Sequence, residues 1–204
     1  MLNRYARAFF TKLLTPVASL LIRLGVSPDV VTVIGTVGVA AGALAFYPRG
    51  QFLLGTLVIT AFVFSDTVDG IMARRLGRSS SWGAYLDSTL DRVGDAAVFG
   101  GLVLWYAGDG GNSYMAALAL ACLILGSVVS YAKARAEGLG MTANVGIAER
   151  ADRLVAVLVA TGLTGWFDIP LVFLGTVLAL LALASLVTVV QRILEVRRQA
   201  LVAP

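Results

Sequence analysis

The chain is dominated by apolar stretches that are long enough to cross a lipid bilayer. Six of them occur, separated by short polar, Gly/Pro-rich or charged segments, at about 30–47, 51–73, 84–107, 114–132, 152–167 and 170–190. A membrane-spanning helix needs about 20 mostly apolar residues, and a helix satisfies its own backbone hydrogen bonds in lipid. We therefore predict an all-α polytopic membrane protein with six transmembrane helices, in which the 152–167 stretch is short and begins in charge.

Composition supports this class and narrows the chemistry. Of 204 residues, 58% are hydrophobic and 14% charged, and the mean hydropathy of +0.87 is too high for a soluble domain of this size. The single cysteine, Cys122, lies in an apolar run, so we expect a buried, inert thiol and no disulfide. Histidine is absent, which excludes His-ligated zinc and histidine bases and leaves carboxylates as the available bases.

Lysine and arginine are distributed unevenly between the two sides of the predicted spans. The N-terminal segment, the 74–78 loop, the 133–153 loop and the C-terminal tail are basic, whereas the other side carries only Arg49. The positive-inside bias then places both termini in the cytoplasm, at the cell (inner or plasma) membrane, which agrees with an even number of spans. We see no repeat or interdomain linker, so we predict one domain over 1–204, and we expect no nucleic-acid partner.

The N-terminal segment has its own pattern. Basic residues alternate with apolar ones over residues 1–15, and this mixture predicts a juxtamembrane helix from residue 2 to about 15 that lies on the cytoplasmic membrane surface. The alternative is a charged flank without that role. The residues that we expect to face the lipid are Leu2, Phe9, Phe10, Leu13 and Leu14.

Four aspartates interrupt otherwise apolar helices near the cytoplasmic side. They are Asp66, Asp69, Asp87 and Asp91, and ionisable groups in such positions are costly and usually functional. Spacings of three and four put each pair on one face of its helix, and the midpoint of the 66–91 stretch falls in the Gly/Ser-rich turn 77–83. We therefore expect the four carboxylates to meet across a hairpin.

Clustered carboxylates repel one another unless a cation lies between them. Oxygen ligands without histidine or cysteine favour a hard cation, and two-metal phosphoryl-transfer sites hold their ions roughly 4 Å apart. We predict Mg²⁺, with two ions and with Mn²⁺ as the alternative. The competing interpretation is a set of structural ion pairs with Arg74, Arg75 and Arg92.

The pattern Asp66-x2-Asp69-Gly70-x2-Ala73-Arg74-x8-Gly83-x3-Asp87-x3-Asp91 resembles the complete signature of the CDP-alcohol phosphotransferases. This resemblance implies a membrane enzyme that transfers the phosphatidyl group of CDP-diacylglycerol directly to an alcohol and releases CMP. It implies that the first three aspartates ligate the metal and that Asp91, at the same metal site, is the base that deprotonates the acceptor hydroxyl. It also suggests a homodimer.

Small residues in the signature indicate where the CDP-diacylglycerol would bind. Gly70, Ala73 and Gly83 would leave room for the nucleotide, although glycine and alanine also serve helix packing. We expect Arg74 to meet the diphosphate and Ser80 to bond the nucleotide, with a merely solvated turn serine as the alternative.

Upstream, Ser27-Pro28-Asp29-Val30-Val31-Thr32 resembles the family's Pro-Asn-x-x-Thr, with aspartate in place of asparagine. This resemblance adds Asp29 and Thr32 to the predicted nucleotide site. The alternative for Asp29 is a helix N-cap, and the two roles can coexist.

A second polar cluster lies at the cytoplasmic ends of the last three spans. A collection of cations there favours an acceptor that already carries a phosphate over free inositol, serine or choline, while positive-inside flanks are the alternative. The segments Ser130-x2-Lys133-x-Arg135 and 149–153 are similar to actinobacterial phosphatidylinositol-phosphate synthases, which implies inositol phosphate as the acceptor. The predicted acceptor-phosphate residues are Ser130, Lys133, Arg135, Arg153 and Arg192.

Other functions remain open from the sequence. Within the family, the alternative is a phosphatidylglycerophosphate synthase that uses glycerol 3-phosphate, and a cardiolipin synthase is more remote. From another class, a carboxylate-lined ion or proton transporter would need acids along the membrane depth. The acids crowd toward one face instead. A membrane scaffold is the remaining non-enzymatic interpretation, and release of CMP from CDP-diacylglycerol would separate an enzyme from both.

Overall fold

The computed structural model describes residues 2–77, 80–167 and 169–202, and it describes side chains within 11–77, 80–167 and 169–201. These residues form α-helices joined by short connections, one of which contains a 3₁₀ turn at Tyr47–Arg49, and the described ranges contain no strand. The all-α prediction is confirmed. The helices are α1 (Leu2–Arg23), α2 (Pro28–Phe46), α3 (Phe52–Val63), α4 (Ser65–Arg75), α5 (Ser81–Ala107), α6 (Ser113–Glu137), α7 (Arg150–Phe167) and α8 (Leu171–Val202).

Four segments are long and apolar enough to cross a membrane: Pro28–Arg49, Phe52–Arg75, Ser113–Glu137 and Leu171–Leu201. They correspond to the first, second, fourth and sixth predicted spans. The helices α5 and α7 coincide with the other two predicted stretches, but charged residues lie within their apolar lengths. The protein is therefore an all-helical membrane protein, and α5 and α7 carry charged residues into the bundle.

The second predicted span is interrupted between α3 and α4. Phe64 has φ −67° and ψ −13°, and the backbone N–H of Thr67 donates to the carbonyl of Phe64 over 3.1 Å. This three-residue bond is 3₁₀ geometry and breaks the regular α-helical pattern. The interruption comes just before Asp66, so α4 begins as a separate short helix whose first turns carry Asp66 and Asp69.

Glycines bring α2 very close to α3 and α4. A Cβ on Gly35 would lie 1.7 Å from Ser65 Oγ, one on Gly38 would lie 2.3 Å from the Phe62 ring, and one on Gly42 would lie 2.9 Å from Val58. Small residues at helix contacts permit this approach in membrane proteins. As a result, the N-terminal half of α2 is held directly beside the start of α4.

The main core lies away from the aspartates. Around the connection between α2 and α3, Tyr47, Phe52, Trp105 and Tyr106 form an aromatic cluster with ring centroids about 6 Å apart. Cys122 is buried as predicted, and its thiol contacts the carbonyl of Leu178. Because this end is filled with apolar side chains, the polar groups of the bundle concentrate at the opposite end.

The first helix extends further than the sequence indicated, from Leu2 to Arg23. It packs against α4, where Ala18 is fully buried beside Val68 and Met72. Leu14 is partly buried against this cluster, whereas Leu13 is exposed. The predicted lipid-facing side chains of Leu2, Phe9 and Phe10 lie outside the described side chains.

The final helix anchors the connection between α6 and α7. Thr188 Oγ1 accepts the backbone N–H groups of Ile147 and Ala148, each over 3.1 Å. Farther along α8, Gln199 Nε2 donates to the carbonyl of Thr142 over 2.7 Å. The connection is thereby fixed against α8 just before α7 begins, and this attachment sets the position of the charged first turn of α7.

Candidate active site

Three aspartates from two helices form the centre of the site. Carboxylate oxygens of Asp66 and Asp69 in α4 and of Asp87 in α5 all lie within 4.8 Å of one another. We call these three residues the aspartate trio. Asp69 is buried and Asp87 is exposed, so the trio opens toward the surface. Three hard oxygen ligands at this separation suit a divalent cation such as Mg²⁺ or Mn²⁺.

Thr32 of α2 holds the buried member of the trio. Its Oγ1 donates to Asp69 Oδ2 over 2.5 Å and also lies 3.1 Å from the carbonyl of Pro28. The close approach of α2 to α4 brings the two side chains within hydrogen-bonding distance. Thr32 was predicted to contact the nucleotide, and the structure places its hydroxyl on a trio carboxylate. Such a hydrogen bond fixes the orientation of a metal-binding carboxylate.

Asp91, the fourth signature aspartate, lies outside the 4.8 Å group and is bound by an arginine from α7. Arg150 Nη1 lies 2.6 Å from Asp91 Oδ1 and 3.3 Å from Asp66 Oδ2. The same guanidinium therefore connects Asp91 to the trio. Arg150 was not among the predicted site residues, and its position in the predicted 133–153 loop gave no sign of which carboxylates it would meet.

Asp95 extends this network by one further helical turn. Arg150 Nε lies 3.2 Å from Asp95 Oδ1, and Arg92 Nη2 lies 3.5 Å from Asp95 Oδ2. Sequence reasoning missed Asp95, although it continues the four-residue spacing of Asp87 and Asp91. Of the predicted alternative ion pairs with Arg74, Arg75 and Arg92, the described part of the chain shows only that of Arg92, whose Nη2 lies 3.8 Å from Asp91 Oδ2, and Arg150 supplies the other contacts.

The predicted nucleotide residues line the two sides of the α4–α5 hairpin. A Cβ on Gly70 would lie 3.3 Å from Arg74 Nη1, so the exposed Arg74 folds back over the glycine. Ala73 is half-buried on the same helix. The Ser80 hydroxyl accepts the backbone N–H of Gly83 over 3.0 Å and caps α5. Gly83 therefore lies in the first turn of α5 and not in the preceding turn.

Asp29 links the starts of α2 and α5. The prediction that Asp29 could cap α2 is wrong, because the N-cap is Ser27, whose hydroxyl accepts the backbone N–H of Val30 over 3.4 Å. Asp29 Oδ2 instead accepts a hydrogen bond from Trp82 Nε1 over 3.1 Å. Trp82 stacks on Tyr85 with ring centroids 6.0 Å apart. The hydrogen bond between Asp29 and Trp82 thus joins α2 to the first turn of α5, next to the predicted nucleotide residues.

Two of the predicted phosphate-binding cations are deeply buried. Arg153 is 2% exposed and donates to the carbonyls of Ala148 and Gly126 over 3.1 and 3.3 Å. Arg192 is 6% exposed and donates to the carbonyls of Val145 and Val129. Neither guanidinium has a carboxylate within ion-pair distance among the described residues. A buried charge without a counter-charge is costly, so this pair is suited to an anion.

The other predicted phosphate residues differ in their surroundings. Ser130 Oγ accepts a hydrogen bond from Arg92 Nη1. Lys133 Nζ lies 3.9 Å from Glu137 Oε1 in a partly exposed pair, and Arg135 is exposed. Ser130 thus joins the aspartate network through Arg92, whereas Lys133 and Arg135 lie at the outer rim.

Comparison with known proteins assigns the chain to a family of transferases. The family model for CDP-alcohol phosphatidyltransferases matches residues 25–191, and the chain belongs to this family. Among curated relatives, the chain is 60% identical over 205 residues to the phosphatidylinositol phosphate synthase of Streptomyces avermitilis, covering 98% of this chain and 84% of that protein. It is 48% identical to the synthase of the same name from Cutibacterium acnes, covering 94% and 96%.

Solved structures give the same picture. The crystal structure of Mycobacterium tuberculosis phosphatidylinositol phosphate synthase with CDP-DAG bound superposes with a TM-score of 0.86 at 41% identity, covering 91% of this chain and 94% of that one. The same enzyme in complex with manganese and citrate gives a TM-score of 0.83 at 42% identity, covering 89% and 88%. The family resemblance of the signature is therefore confirmed.

Proposed function

We propose that this protein transfers the phosphatidyl group of CDP-diacylglycerol to inositol phosphate and forms phosphatidylinositol phosphate and CMP. The observation that carries the choice of acceptor is the pair of buried arginines, Arg153 and Arg192, which lack a carboxylate partner among the described residues. A phosphorylated acceptor supplies the missing negative charge. The names of the curated relatives support the same acceptor.

The aspartate trio holds the divalent cation, Mg²⁺ or Mn²⁺, and the proposal includes a second ion. Its three carboxylates carry more negative charge than the nearby Arg150 balances, and oxygen is their only donor type. The relative solved with manganese supports this choice of metal. When bound, the metal stabilises the negative charge that develops on the departing CMP phosphate.

Asp91 is the proposed general base and a further member of the proposed metal site. The acceptor hydroxyl loses its proton to an Asp91 oxygen while its own oxygen attacks the β-phosphorus of CDP-diacylglycerol. The new oxygen–phosphorus bond replaces the bond to the CMP oxygen, which leaves with its electron pair. Asp66 and Asp91 share the contact with Arg150, so the proposed base lies beside a proposed metal ligand.

The nucleotide binds on the hairpin side of the trio. Gly70 and Ala73 give the nucleotide access to the surface of α4, and Arg74 reaches the diphosphate. The residues that complete this proposed subsite are Asp29, Thr32, Ser80 and Gly83. Hydrogen bonds between Thr32 and Asp69, Trp82 and Asp29, and Gly83 and Ser80 hold these residues in place.

The acceptor phosphate binds at the ends of α6, α7 and α8. Arg153 and Arg192 each use part of their donors on backbone carbonyls, and an arginine carries five N–H donors in total. The remaining donors and the rim residues Lys133 and Arg135 attract the phosphate. Ser130 completes this proposed subsite beside Arg92.

In the membrane, we propose that α2, α3 with α4, and α5 to α8 make six spans. The charged residues of α5 and α7 lie toward one end of each helix, and the remainder of each is apolar. The basic loops support a cytoplasmic position for that end at the plasma membrane in this proposal, with α1 along the membrane surface. The whole chain forms one domain, and the enzyme is a homodimer.

An acceptor panel tests this proposal. Purified enzyme would receive labelled CDP-diacylglycerol and Mg²⁺ together with inositol phosphate, free inositol or glycerol 3-phosphate, and release of CMP would be measured. We expect inositol phosphate to be the preferred acceptor and free inositol to be poor. If free inositol or glycerol 3-phosphate is used better, the acceptor assignment is wrong, while the family and the metal chemistry are unaffected.

A further inference from the structure

Asp95 is a buried carboxylate outside the signature, and the roles assigned above do not use it. It lies on α5, one turn beyond Asp91, and is 9% exposed. Both of its oxygens face arginines, with Oδ1 3.2 Å from Arg150 Nε and Oδ2 3.5 Å from Arg92 Nη2. A buried carboxylate that uses each oxygen on a different guanidinium fixes the relative position of the two cations.

The two arginines extend from Asp95 in different directions. Arg150 reaches Asp91 and the trio member Asp66. Arg92 reaches the hydroxyl of Ser130 on α6, which belongs to the proposed acceptor subsite. Asp95 therefore connects two parts of the site. One part holds the base and the metal ligands, and the other receives the acceptor.

The charges of this network nearly balance and leave a net negative charge on the trio. Arg92 and Arg150 carry two positive charges, and the two carboxylates that both of them approach, Asp91 and Asp95, carry two negative charges. The trio then retains its own negative charge for the cation. Removal of the Asp95 charge would leave one guanidinium in excess, free to move toward Asp66 or toward the acceptor subsite.

We propose that Asp95 is a positioning residue that holds Arg150 against Asp91 and Arg92 against Ser130, so that the base and the acceptor subsite keep a fixed separation. This inference rests on the proposed function. The competing explanation is that Asp95 only stabilises the packing of α5 against its neighbours. A packing role would lower the melting temperature and the amount of active enzyme without changing the acceptor KM.

The central test is Asp95→Asn, which preserves the size of the side chain but leaves one acceptor oxygen for two arginines. We expect the acceptor KM to rise about ten-fold, because a hydrogen bond to a charged group is lost, and kcat to fall as well. The KM for CDP-diacylglycerol should change less than about two-fold. Asp95→Glu keeps the charge and both oxygens, and it should recover part of the acceptor affinity.

Asp109→Asn is the matched control. It removes the same charge from an exposed residue in the connection between α5 and α6, at the far end of α5 from Asp91. This variant should retain the parent kinetics. Arg92→Lys is the second variant if Asp95→Asn does not fold, because Arg92 is partly exposed and lysine keeps the charge while losing the fork that spans Asp95 and Ser130. It should raise the acceptor KM in the same way.

A double variant decides whether Asp95 acts through Arg92. If it does, the acceptor KM of the double variant Asp95→Asn/Arg92→Lys should exceed the parent value by a smaller factor than the product of the factors for the two single variants. Unchanged acceptor KM in both single variants, with only a lower melting temperature, would overturn the inference. All kinetics use the acceptor that the parent enzyme prefers, so a parent that rejects inositol phosphate contradicts the proposed function and leaves this test intact.

Discussion

The aspartate hairpin of α4 and α5 and the buried arginines of α7 and α8 bring opposite charges into the same bundle. The trio remains partly open, with Asp87 exposed, while Thr32 contacts Asp69 and Arg150 contacts Asp66. Arg153 and Arg192 are almost completely buried and are held by backbone carbonyls. The first region is left ready for a cation, and the second is closed around its cations.

Hydrogen-bond chemistry explains the difference. An arginine has only donors, and carbonyl oxygens at helix ends and in loops accept additional bonds. A carboxylate has only acceptors when ionised, and the backbone N–H groups of a helix interior are already in use. Backbone carbonyls can therefore hold part of a buried arginine's donors and leave its charge for an anion, whereas clustered carboxylates in helices need hydroxyls, guanidiniums or metal ions.

Metal removal should have the largest effect on activity. It should also distinguish the two regions, because only the hairpin depends on a cation from solution. We expect EDTA to abolish CMP release and added Mg²⁺ to restore it. Asp66→Asn or Asp87→Asn should shift the metal concentration required for activity upward, because one carboxylate ligand is lost. Full turnover without a divalent cation would contradict the metal assignment.

Removal of the proposed base should have the next largest effect. Asp91→Asn is expected to lower kcat by about 10²-fold or more, since general-base catalysis contributes that much. Binding of CDP-diacylglycerol, measured by equilibrium titration in detergent, should be retained. A nearly normal rate in this variant would require another base.

Thr32→Val tests whether the hydroxyl on Asp69 orients a metal ligand. Removal of such a contact typically weakens metal affinity by about 10- to 100-fold, so the Mg²⁺ concentration for half-maximal activity should rise within that range. Thr36→Val is the matched control, because the Thr36 hydroxyl bonds the carbonyl of Thr32 within α2 and not an aspartate. Equal metal dependence in the two variants would show that the Asp69 contact is unimportant.

Loss of a buried arginine should affect the acceptor with little effect on the metal. Arg153→Ala is expected to raise the acceptor KM about ten-fold or more, because a charged hydrogen-bond donor is lost. The KM for CDP-diacylglycerol and the Mg²⁺ dependence should stay close to the parent values. The melting temperature should also fall, since the carbonyls of Ala148 and Gly126 each lose the Arg153 donor. A change in melting temperature alone, with unchanged acceptor KM, would assign Arg153 to structure only.

Much of the fold was predictable because it depends on local properties of the chain. Apolar stretches of membrane-spanning length gave the helices α2 and α5 to α8, and the spacing of the signature aspartates gave the face that each pair occupies. The interruption at Phe64 was not predicted, because it lies inside a continuous apolar stretch. The close contact of Gly35 with Ser65 beside it depends on how two helices pack.

The partners of the charged groups were the least predictable part of the site. Arg150 lies 84 positions from Asp66 and 55 from Asp95 in the sequence, yet it contacts both. Arg153 and Arg192 have the sequence pattern of membrane-flanking cations, and only the structure shows that they are buried against carbonyls. Hydropathy reports which residues enter the membrane, but it contains no information on which distant helix a guanidinium will face.

The sequence alone therefore determined the helical membrane class, the family and the four signature aspartates, because each follows from residue type and short spacing along one chain segment. Only the tertiary structure decided that Asp91 pairs with Arg150 beside the trio and that Asp95 connects two arginines. These pairings depend on the packing of α5 against α6 and on the attachment of the α6–α7 connection to α8. Ion pairs between distant helices form where packing brings side chains together, and no local rule of helix periodicity specifies that position.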